Sequence, residues 1–302
     1  MPEQAEIRII SDFFNKEIAF RDVIKVEKSP LSKNKCDLSI LENKQWKITA
    51  RHRGKEMILD FSNNIESHHL KINFSKIGSL EYYDINEEIE DIESFDKRAV
   101  LRFYTDDKLY FISDFTRYTL WRWSNEWDTR RSPDIVTEHN KWRDHLFEHR
   151  KIKYFKRPIF EIFTDQRFFN GIGNFSRSEI LARMRFSPFT NFNEILENDI
   201  LRNEFFNISR EVLDDIARLG GMQFKYWTNP FKVSKRGFNK WVRCYNKMPK
   251  SFFTKDSKGK VFWFMKEWLR DYALWSKEDL NVPDNDVRDT ALLIKIYKKN
   301  IK

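Results

Sequence analysis

The chain has few of the residues that cross-link or interrupt a fold: its 302 residues include two cysteines, eight glycines and eight prolines. Cys36 and Cys244 are far apart in the sequence, so they can form neither a disulfide framework nor a four-cysteine zinc site. We therefore expect a reducing compartment. No stretch approaches the roughly 18 apolar residues that span a bilayer, and the charged N-terminus lacks a signal-peptide core. A membrane-spanning or secreted protein is not expected.

Aromatic residues and positive charge are abundant instead. The chain has 28 Phe and 10 Trp, and 55 Lys plus Arg against 46 Asp plus Glu give a net charge of +9. The hydrophobic fraction of 40% is typical of a globular protein. The positive charge indicates a polyanionic partner, because nonspecific affinity for nucleic acid depends mainly on neutralised phosphates. A basic protein without such a partner is the alternative that composition leaves open.

The pattern of apolar residues changes along the chain, which is long enough for one large or two ordinary domains. Short aromatic and β-branched segments between about residues 23 and 115, with Gly, Asn and Asp between them, predict a β-sandwich or barrel. Helical spacing begins near residue 134, and RRSPD at 130–134 marks the break. Residues 241–264 again predict short strands.

The first seven residues, MPEQAEI, allow two interpretations. Pro2 suits the first helical position, and Glu3 and Glu6 place negative charge at the positive end of a helix dipole. The same residues permit chemistry, because loss of Met1 would leave Pro2 with a free secondary amine. An α-amino group has a pKa of about 8, so Pro2 would be a far better nucleophile at neutral pH than lysine. Taken alone, the heptad favours the plain helix start.

The segment FTDQRFFNGIGNFSRSEILAR, at 163–183, predicts a helix, a tight turn and a second helix. Asn170, Gly171 and Gly173 are expected to end the first helix, and Asn174 is suited to cap the second. Such a turn lets backbone N–H groups approach a ligand, and the helix N-terminus attracts an anion such as a DNA phosphate. An ordinary helical hairpin explains the segment equally well, since no strand precedes GIGN as a nucleotide fingerprint requires.

Four segments together resemble the formamidopyrimidine-DNA glycosylase and endonuclease VIII family. MPEQAEI resembles its catalytic N-terminus, and RFFNGIGNFSRSEILARMRFSPF (167–189) resembles its helix-two-turn-helix motif. ITARHRGKEMIL (48–59) resembles the strand–turn–strand that carries the family's lysine, here Lys55. WVRCYNKMPKSFFTKDSKGKVFWF (241–264) resembles the zincless finger of the animal endonuclease VIII-like enzymes, a β-hairpin that persists without the metal. The resemblance extends from residue 1 to about 265.

The resemblance implies an α+β fold of two domains, an N-terminal helix with a β-sandwich and a C-terminal helix-two-turn-helix domain with a zincless-finger hairpin. It implies DNA, damaged and double- or single-stranded, as the partner of a monomer, with no metal and no cofactor. The expected location is nuclear, or cytosolic in a cell without a nucleus. The expected divisions are a catalytic domain at 1–130, a linker at 131–150, a DNA-binding domain at 151–235, a finger at 236–265 and a tail of unknown role at 266–302.

The activity that the resemblance implies is that of a bifunctional DNA glycosylase and abasic-site lyase of base excision repair. Pro2 would attack C1′ of a flipped nucleotide, expel an oxidised base and form a Schiff base, from which β,δ-elimination cuts the strand. Glu3 would act as general acid and base, and Glu6 would organise the first turn. Lys55 would complete the catalytic set by holding a phosphate beside the lesion, and Asn174 would hold another.

Some family positions carry different residues in this chain. Gln4 and Ala5 replace the usual Gly-Pro of the first turn. Lys260, a further candidate for phosphate binding, stands where relatives have a hairpin-tip arginine, and lysine keeps the charge but loses the planar fork.

The positions that handle the flipped base also differ. Lys76 replaces the methionine that fills the gap left by the base, while Arg117 and Tyr118 align with the arginine and the aromatic of a second loop. Met222 is the candidate in the lesion-recognition loop and lacks the basic group expected there.

Two alternatives remain at this point. The altered residues are also compatible with a noncatalytic, damaged-DNA-binding relative of the family. A more distant reading comes from His145-Leu146-Phe147-Glu148-His149, which matches the HxxEH pattern of inverted zinc peptidases, although a charged, solvated helix produces this pattern by chance.

Overall fold

The computed structural model describes residues 2–75, 78–86, 97–114, 116–184, 187–222, 227–247 and 250–265. The chain divides into two compact units, of which the first combines Met1–Thr129 with Asp215–Phe238 and the second combines Arg130–Asp214 with Asn239–Lys302. The finer division expected from the resemblance remains a prediction. Among the described residues, the helices are too short or too polar to cross a bilayer.

Helix α1 (Gln4–Phe13) opens the first unit and continues as a π-helical turn, Phe14–Ile18. The predicted helix start is confirmed, but the first helical residue is Gln4 and not Pro2. Glu3 occupies the N-cap with an extended backbone, and its N–H donates to the Oε2 atom of Glu6 at 2.7 Å. Glu3 and Glu6 form a capping box, which fixes where the helix begins.

The described part of the first unit also contains two antiparallel sheets of four strands, with the strand orders β1-β6-β7-β5 and β2-β3-β4-β8. Apolar residues of both sheets and of α1 share one buried core. This arrangement confirms the predicted β-sandwich. The strands are β1 (Lys25–Lys28), β2 (Lys47–Arg53), β3 (Glu56–Ser62), β4 (Ser67–Asn73), β5 (Gly78–Asp84), β6 (Ala99–Tyr104), β7 (Lys108–Asp114) and β8 (Leu120–Trp123).

The second unit is mainly helical and ends in a β-hairpin. Its core is aromatic, with the rings of Phe163, Phe169 and Phe205 all completely buried and in mutual contact. The hairpin pairs β9 (Ser251–Lys255) with β10 (Val261–Met265), as predicted. The helices that lie in this unit or lead into and out of it are α2 (His139–Glu148), α3 (Ile159–Ile162), α4 (Asn174–Leu181), α5 (Phe192–Glu197), α6 (Asp199–Arg218) and α7 (Lys235–Trp241).

The helix–turn–helix segment differs in detail from its prediction. The first helix, α3, ends at Ile162 and not at Asn170. The reason is local: the carbonyl of Asp165 accepts the N–H groups of Phe168 and Phe169, and its side chain accepts the N–H of Arg167, so the chain turns early. The turn therefore extends from residue 163 to residue 173.

Candidate functional site

Two carboxyl groups, those of Glu3 and Glu6, and the backbone amide of Met222 meet at the N-terminal turn, where helix α1 begins. Pro2 and Glu3 are buried, and Glu3 is only 5% exposed. The carboxylate of Glu6 is 1% exposed and accepts two backbone N–H groups, that of Glu3 at 2.7 Å and that of Met222 at 2.5 Å. The structure thus brings Met222 to Glu3 and Glu6, although Met222 lies 216 residues from Glu6 in the sequence.

The environment of Glu6 changes its acid strength. The pKa of Glu6 is raised from its ordinary 4.5 to about 7, mainly by burial and also by the charge of Glu3, while the N–H groups of Met222 and Glu3 oppose the change. Near neutral pH the Glu6 carboxyl is therefore divided between its protonated and ionised forms. A group of this kind can hold or release a proton within one helical turn of Pro2.

The loop that carries Met222 requires glycine at two positions. Gly220 and Gly221 have φ angles of 91° and 80°, in the left-handed region. A Cβ atom on Gly221 would lie 2.8 Å from the indole nitrogen of Trp227 and 3.1 Å from the Oε1 atom of Glu6. The same indole donates to the carbonyl of Gly220 at 2.9 Å. The backbone of the loop, rather than the Met222 side chain, is what binds it to the N-terminal turn.

Lys55 lies in the two-residue turn between β2 and β3 and is only 7% exposed. Gly54 begins this turn with a φ angle of 57°. Helix α1 and the π-helical turn that follows it are tied to the same hairpin, because Ser11 of the helix and Asn15 of the turn both donate to the carbonyl of Ala50, at 3.1 and 2.9 Å. Pro2 and Lys55 are thus held by two elements that are bonded to each other.

A buried ion pair that the sequence interpretation missed supports the Lys55 turn. The Nζ atom of Lys71 lies 2.6 Å from the Oε1 atom of Glu56, and both side chains are at most 2% exposed. Lys71 also donates to the carbonyl of Glu126 at 2.9 Å, and Glu56 accepts the N–H of Asp128 at 3.2 Å. A signal existed in the sequence, since a lysine between Leu70 and Ile72 interrupts an apolar strand.

Of the candidates for filling the gap of a flipped base, Lys76 lies outside the described residues. Arg117 and Tyr118 follow β7 in a loop that the buried carboxylate of Asp114 organises, because it accepts the N–H groups of Thr116 and Thr119 at 2.9 and 2.7 Å. Arg117 has a left-handed backbone with a φ angle of 58°, and Tyr118 is 61% exposed. An exposed aromatic ring is suited to stack on a base.

In the second unit, Asn174 is the first residue of α4 and not its cap. Gly173 occupies the N-cap, and its N–H donates to the hydroxyl of Ser176 at 3.1 Å. Asn174 is half-buried, and its Oδ1 atom accepts a hydrogen bond from Arg177 at 3.3 Å. This contact leaves the Nδ2 group as the donating end of the side chain.

Lys260 ends the turn of the β9–β10 hairpin, and its Nζ atom donates to the hydroxyl of Thr164 at 3.3 Å. Burial lowers the pKa of Lys260 below its usual range. The residue keeps a donor at the hairpin turn, where the resemblance places an arginine.

A second missed residue, Glu179, fastens the segment that leads into the hairpin. Its carboxylate is completely buried and accepts the N–H groups of Arg243, Cys244 and Tyr245 at 2.9, 2.9 and 2.7 Å. Arg183 completes the site with a contact of 2.6 Å. One side chain of α4 therefore anchors three consecutive amides of the finger segment.

The histidines of the HxxEH pattern bond to the backbone. The Nε2 atom of His145 lies 3.0 Å from the carbonyl of Arg167, and the Nδ1 atom of His149 lies 2.7 Å from the carbonyl of His145. Glu148 is exposed to solvent. In the part of the chain that the structure describes, no group of three or more His, Cys, Asp or Glu side chains is placed to hold a metal ion.

Solved structures show to which class of protein this fold belongs. MutM in complex with DNA containing carbocyclic 8-oxo-G matches with a TM-score of 0.69 and 15% identity, over 88% of this chain and 99% of that chain. A Lactococcus lactis FPG mutant with DNA containing Fapy-dG matches with a TM-score of 0.70 and 16% identity, over the same shares. The α+β fold predicted from the sequence is thus the fold of the Fpg/MutM proteins.

Curated relatives identify the family. No family model matches the chain. Endonuclease 8-like 1 from Homo sapiens is 29% identical over 296 residues, and its counterpart from Mus musculus is 30% identical, in both cases over 87% of this chain and 72% of the relative. The chain belongs to the formamidopyrimidine-DNA glycosylase and endonuclease VIII family and resembles its animal endonuclease VIII-like members, which confirms the resemblance seen in the sequence.

Proposed function

We propose that this protein is a bifunctional DNA glycosylase and abasic-site lyase of base excision repair, which removes oxidised bases through a Schiff base at Pro2. Membership of the family supports a DNA glycosylase. The N-terminal turn is the observation that supports Schiff-base chemistry at Pro2. In this turn Glu6 has a pKa of about 7 and bonds both to Glu3 and to the loop of Met222.

The first step is attack on the sugar. After Met1 is removed, the lone pair of the Pro2 nitrogen forms a bond to C1′ of the flipped nucleotide, and the electrons of the glycosidic bond leave with the base. Opening of the sugar ring moves a proton to O4′ and leaves a cationic iminium between C1′ and Pro2. Glu3 delivers and removes these protons, and Glu6 is a second proton-holding group close by.

The second step cuts the strand. The iminium acidifies the protons at C2′, so loss of one of them expels the 3′ phosphate, and a further elimination expels the 5′ phosphate. Hydrolysis then releases the sugar fragment and restores the free amine.

Basic and amide groups hold the strand during these steps. Lys55 supplies the cation beside the N-terminal turn, and Asn174 and Lys260 supply donors in the second unit. Arg117 and Tyr118 occupy the gap left by the flipped base. The net charge of +9 favours a DNA partner in the same way.

Borohydride trapping tests the proposal. Met-trimmed protein incubated with abasic-site DNA and borohydride should form a covalent adduct, and peptide mapping should place that adduct on Pro2. The matched control is the same chain with a short N-terminal extension, which turns the Pro2 amine into an amide and should abolish trapping. Proteolytic removal of the extension should restore it. No adduct, or an adduct on a lysine, would rule out the Schiff base at Pro2.

A noncatalytic, damaged-DNA-binding relative is the second candidate, favoured by Lys76 at the position of the gap-filling methionine and by Lys260 in the finger. This alternative predicts salt-sensitive binding to damaged DNA, no strand cleavage and no trapped adduct. Pro2→Gly would then leave binding unchanged and remove no activity.

A substrate panel would define the specificity of the enzyme. Oxidised pyrimidines and ring-opened purines, in single- and double-stranded DNA, should be compared by kcat/KM. The side chain at position 222 is Met rather than a basic residue, so we expect a base preference that does not depend on a positive charge in this loop.

A further inference from the structure

The guanidinium of Arg177, in the second unit, is completely buried. It donates to the carbonyl of Phe160 at 2.8 Å, to the carbonyl of Val261 at 2.9 Å, to the Oδ2 atom of Asp256 at 2.8 Å and to the Oδ1 atom of Asn174 at 3.3 Å. These four acceptors belong to α3, the β9–β10 hairpin, its turn and α4. One side chain therefore joins the helix-two-turn-helix segment to the finger.

The partner carboxylate, Asp256, organises the hairpin turn. Its Oδ1 atom accepts the N–H groups of Lys258 and Lys260 at 3.0 and 2.9 Å, while Oδ2 takes the hydrogen bond from Arg177. The turn closes through a backbone hydrogen bond of 2.9 Å from Asp256 to the carbonyl of Lys260. A continuous path of hydrogen bonds thus runs from Asn174 through Arg177 and Asp256 to the backbone of Lys260.

A buried ion pair is a poor source of stability, because the cost of removing two charges from water offsets most of their attraction. In some proteins its benefit is instead to define one arrangement of the groups around it. Lysine could supply the charge at position 177, but only a planar guanidinium reaches four acceptors at once. An arginine at position 177 therefore sets the position of Asn174 relative to the hairpin turn, since it bonds to both.

We propose that Arg177, together with Asp256, is a positioning residue for DNA binding. The pair turns the Asn174 amide so that Nδ2 faces outward as a donor, and it holds the turn of Lys260 at a set distance from that donor. Both groups are then ordered before a DNA strand arrives, and binding does not have to order them. This inference rests on the proposed function, in which Asn174 and Lys260 bind phosphates.

The test compares Arg177→Lys with a matched control, Arg183→Lys. Arg183 is also a largely buried arginine that pairs with a buried carboxylate, Glu179, and donates to the finger segment at the carbonyl of Trp241. The probe is a DNA duplex with a tetrahydrofuran abasic-site analogue. We expect Arg177→Lys to raise the Kd about tenfold, the effect of losing one hydrogen bond to a charged group, and Arg183→Lys to change it less than about twofold.

A double-mutant cycle separates positioning from a general loss of structure. Asn174→Ala alone should raise the Kd, and adding Arg177→Lys should raise it by a smaller factor than in the wild-type background, because part of the effect of the arginine acts through the Asn174 side chain. The single-turnover cleavage rate constant at saturating Arg177→Lys protein should equal that of the wild type, with only the half-saturating concentration raised. The proposal is wrong if the increase in Kd of the double variant equals the product of the two single increases, or if this rate constant falls.

Asp256→Asn is the second variant, in case Arg177→Lys does not fold. The amide keeps an oxygen for the N–H groups of Lys258 and Lys260 but removes the charge that holds Arg177. It should weaken binding and show the same lack of additivity with Asn174→Ala. If Asn174→Ala weakens binding while both other variants bind normally, the positioning role is wrong and the phosphate-binding role stands. If Asn174→Ala itself has no effect, the phosphate-binding role of Asn174 is wrong, and the positioning role with it.

Discussion

Replacement of Glu6 by glutamine should destabilise the protein at acid pH and stabilise it at alkaline pH. A carboxyl group whose pKa is raised by folding favours the folded state below its unfolded pKa and loses that contribution as the pH rises through the folded pKa. For Glu6 this interval runs from 4.5 to about 7, and the loss amounts to about 3 kcal/mol. A neutral glutamine has no such pH-dependent term.

Glutamine also loses a contact. The Glu6 carboxylate accepts the N–H groups of Glu3 and Met222 through different oxygens, and an amide has only one oxygen. The lost hydrogen bond should cost about 1 kcal/mol. Glu6→Gln should therefore be less stable than the wild type by about 1 kcal/mol at pH 4.5 and more stable by about 2 kcal/mol at pH 8.5.

The measurement is urea unfolding of both proteins at the two pH values, followed by the fluorescence of the tryptophans. Titrating groups outside the N-terminal turn are common to the two proteins, so the difference in the free energy of unfolding reports position 6 together with its electrostatic coupling to Glu3. Glu17→Gln, at an exposed position, controls for the substitution itself. The reasoning is refuted if the difference in the free energy of unfolding between Glu6→Gln and the wild type does not change with pH. It is also refuted if the variant becomes less stable relative to the wild type as the pH rises.

The other predictions concern stability and DNA binding. Gly221→Ala should destabilise by about 2–3 kcal/mol in thermal unfolding, because its Cβ atom would clash at a φ angle of 80°. Gly259→Ala, with a φ angle of 73° and open space around it, should cost only about 1 kcal/mol, and equal costs would contradict the clash. Lys71→Met should cost about 3–5 kcal/mol in urea unfolding by leaving the Glu56 charge buried alone, and a loss below 1 kcal/mol would show that the pair is not buried in solution. Lys260→Ala should lower the slope of log K against log salt by about 1 on duplex DNA, and an unchanged slope would exclude a phosphate contact.

Local features of the fold could be predicted from the sequence because their causes are local. The start of α1 depends on Glu3 and Glu6, which are three residues apart, and the strands of the sandwich follow from short aromatic and β-branched segments with Gly, Asn and Asp between them. The early end of α3 was missed, although its cause, the turn at Asp165, also lies within a few residues. Aspartate is common both in helices and in turns, so its type alone does not decide between them.

The residues that support the site could not be found in the same way. Arg177 meets Asp256 across 79 residues of sequence, and Glu179 meets the N–H of Cys244 across 65. Periodicity carries no information about such pairs, and a charged residue in an amphipathic helix is ordinarily expected to face solvent. The positions of Lys55 and Asn174 came from the family resemblance, while the contacts that hold them came from the structure.

The discontinuity of the first unit has a consequence for its synthesis. Trp227 belongs to the same buried core as α1, and the amide of Met222 binds Glu6, yet both residues follow the whole helical insertion of the second unit. A ribosome must add 109 residues after Thr129 before Phe238 is in place, which takes roughly 5–20 s at usual elongation rates of about 5–20 residues per second. During that time the nascent sandwich exposes the surface that Trp227 later covers, so the candidate site at Pro2 is among the last parts of the molecule to be completed.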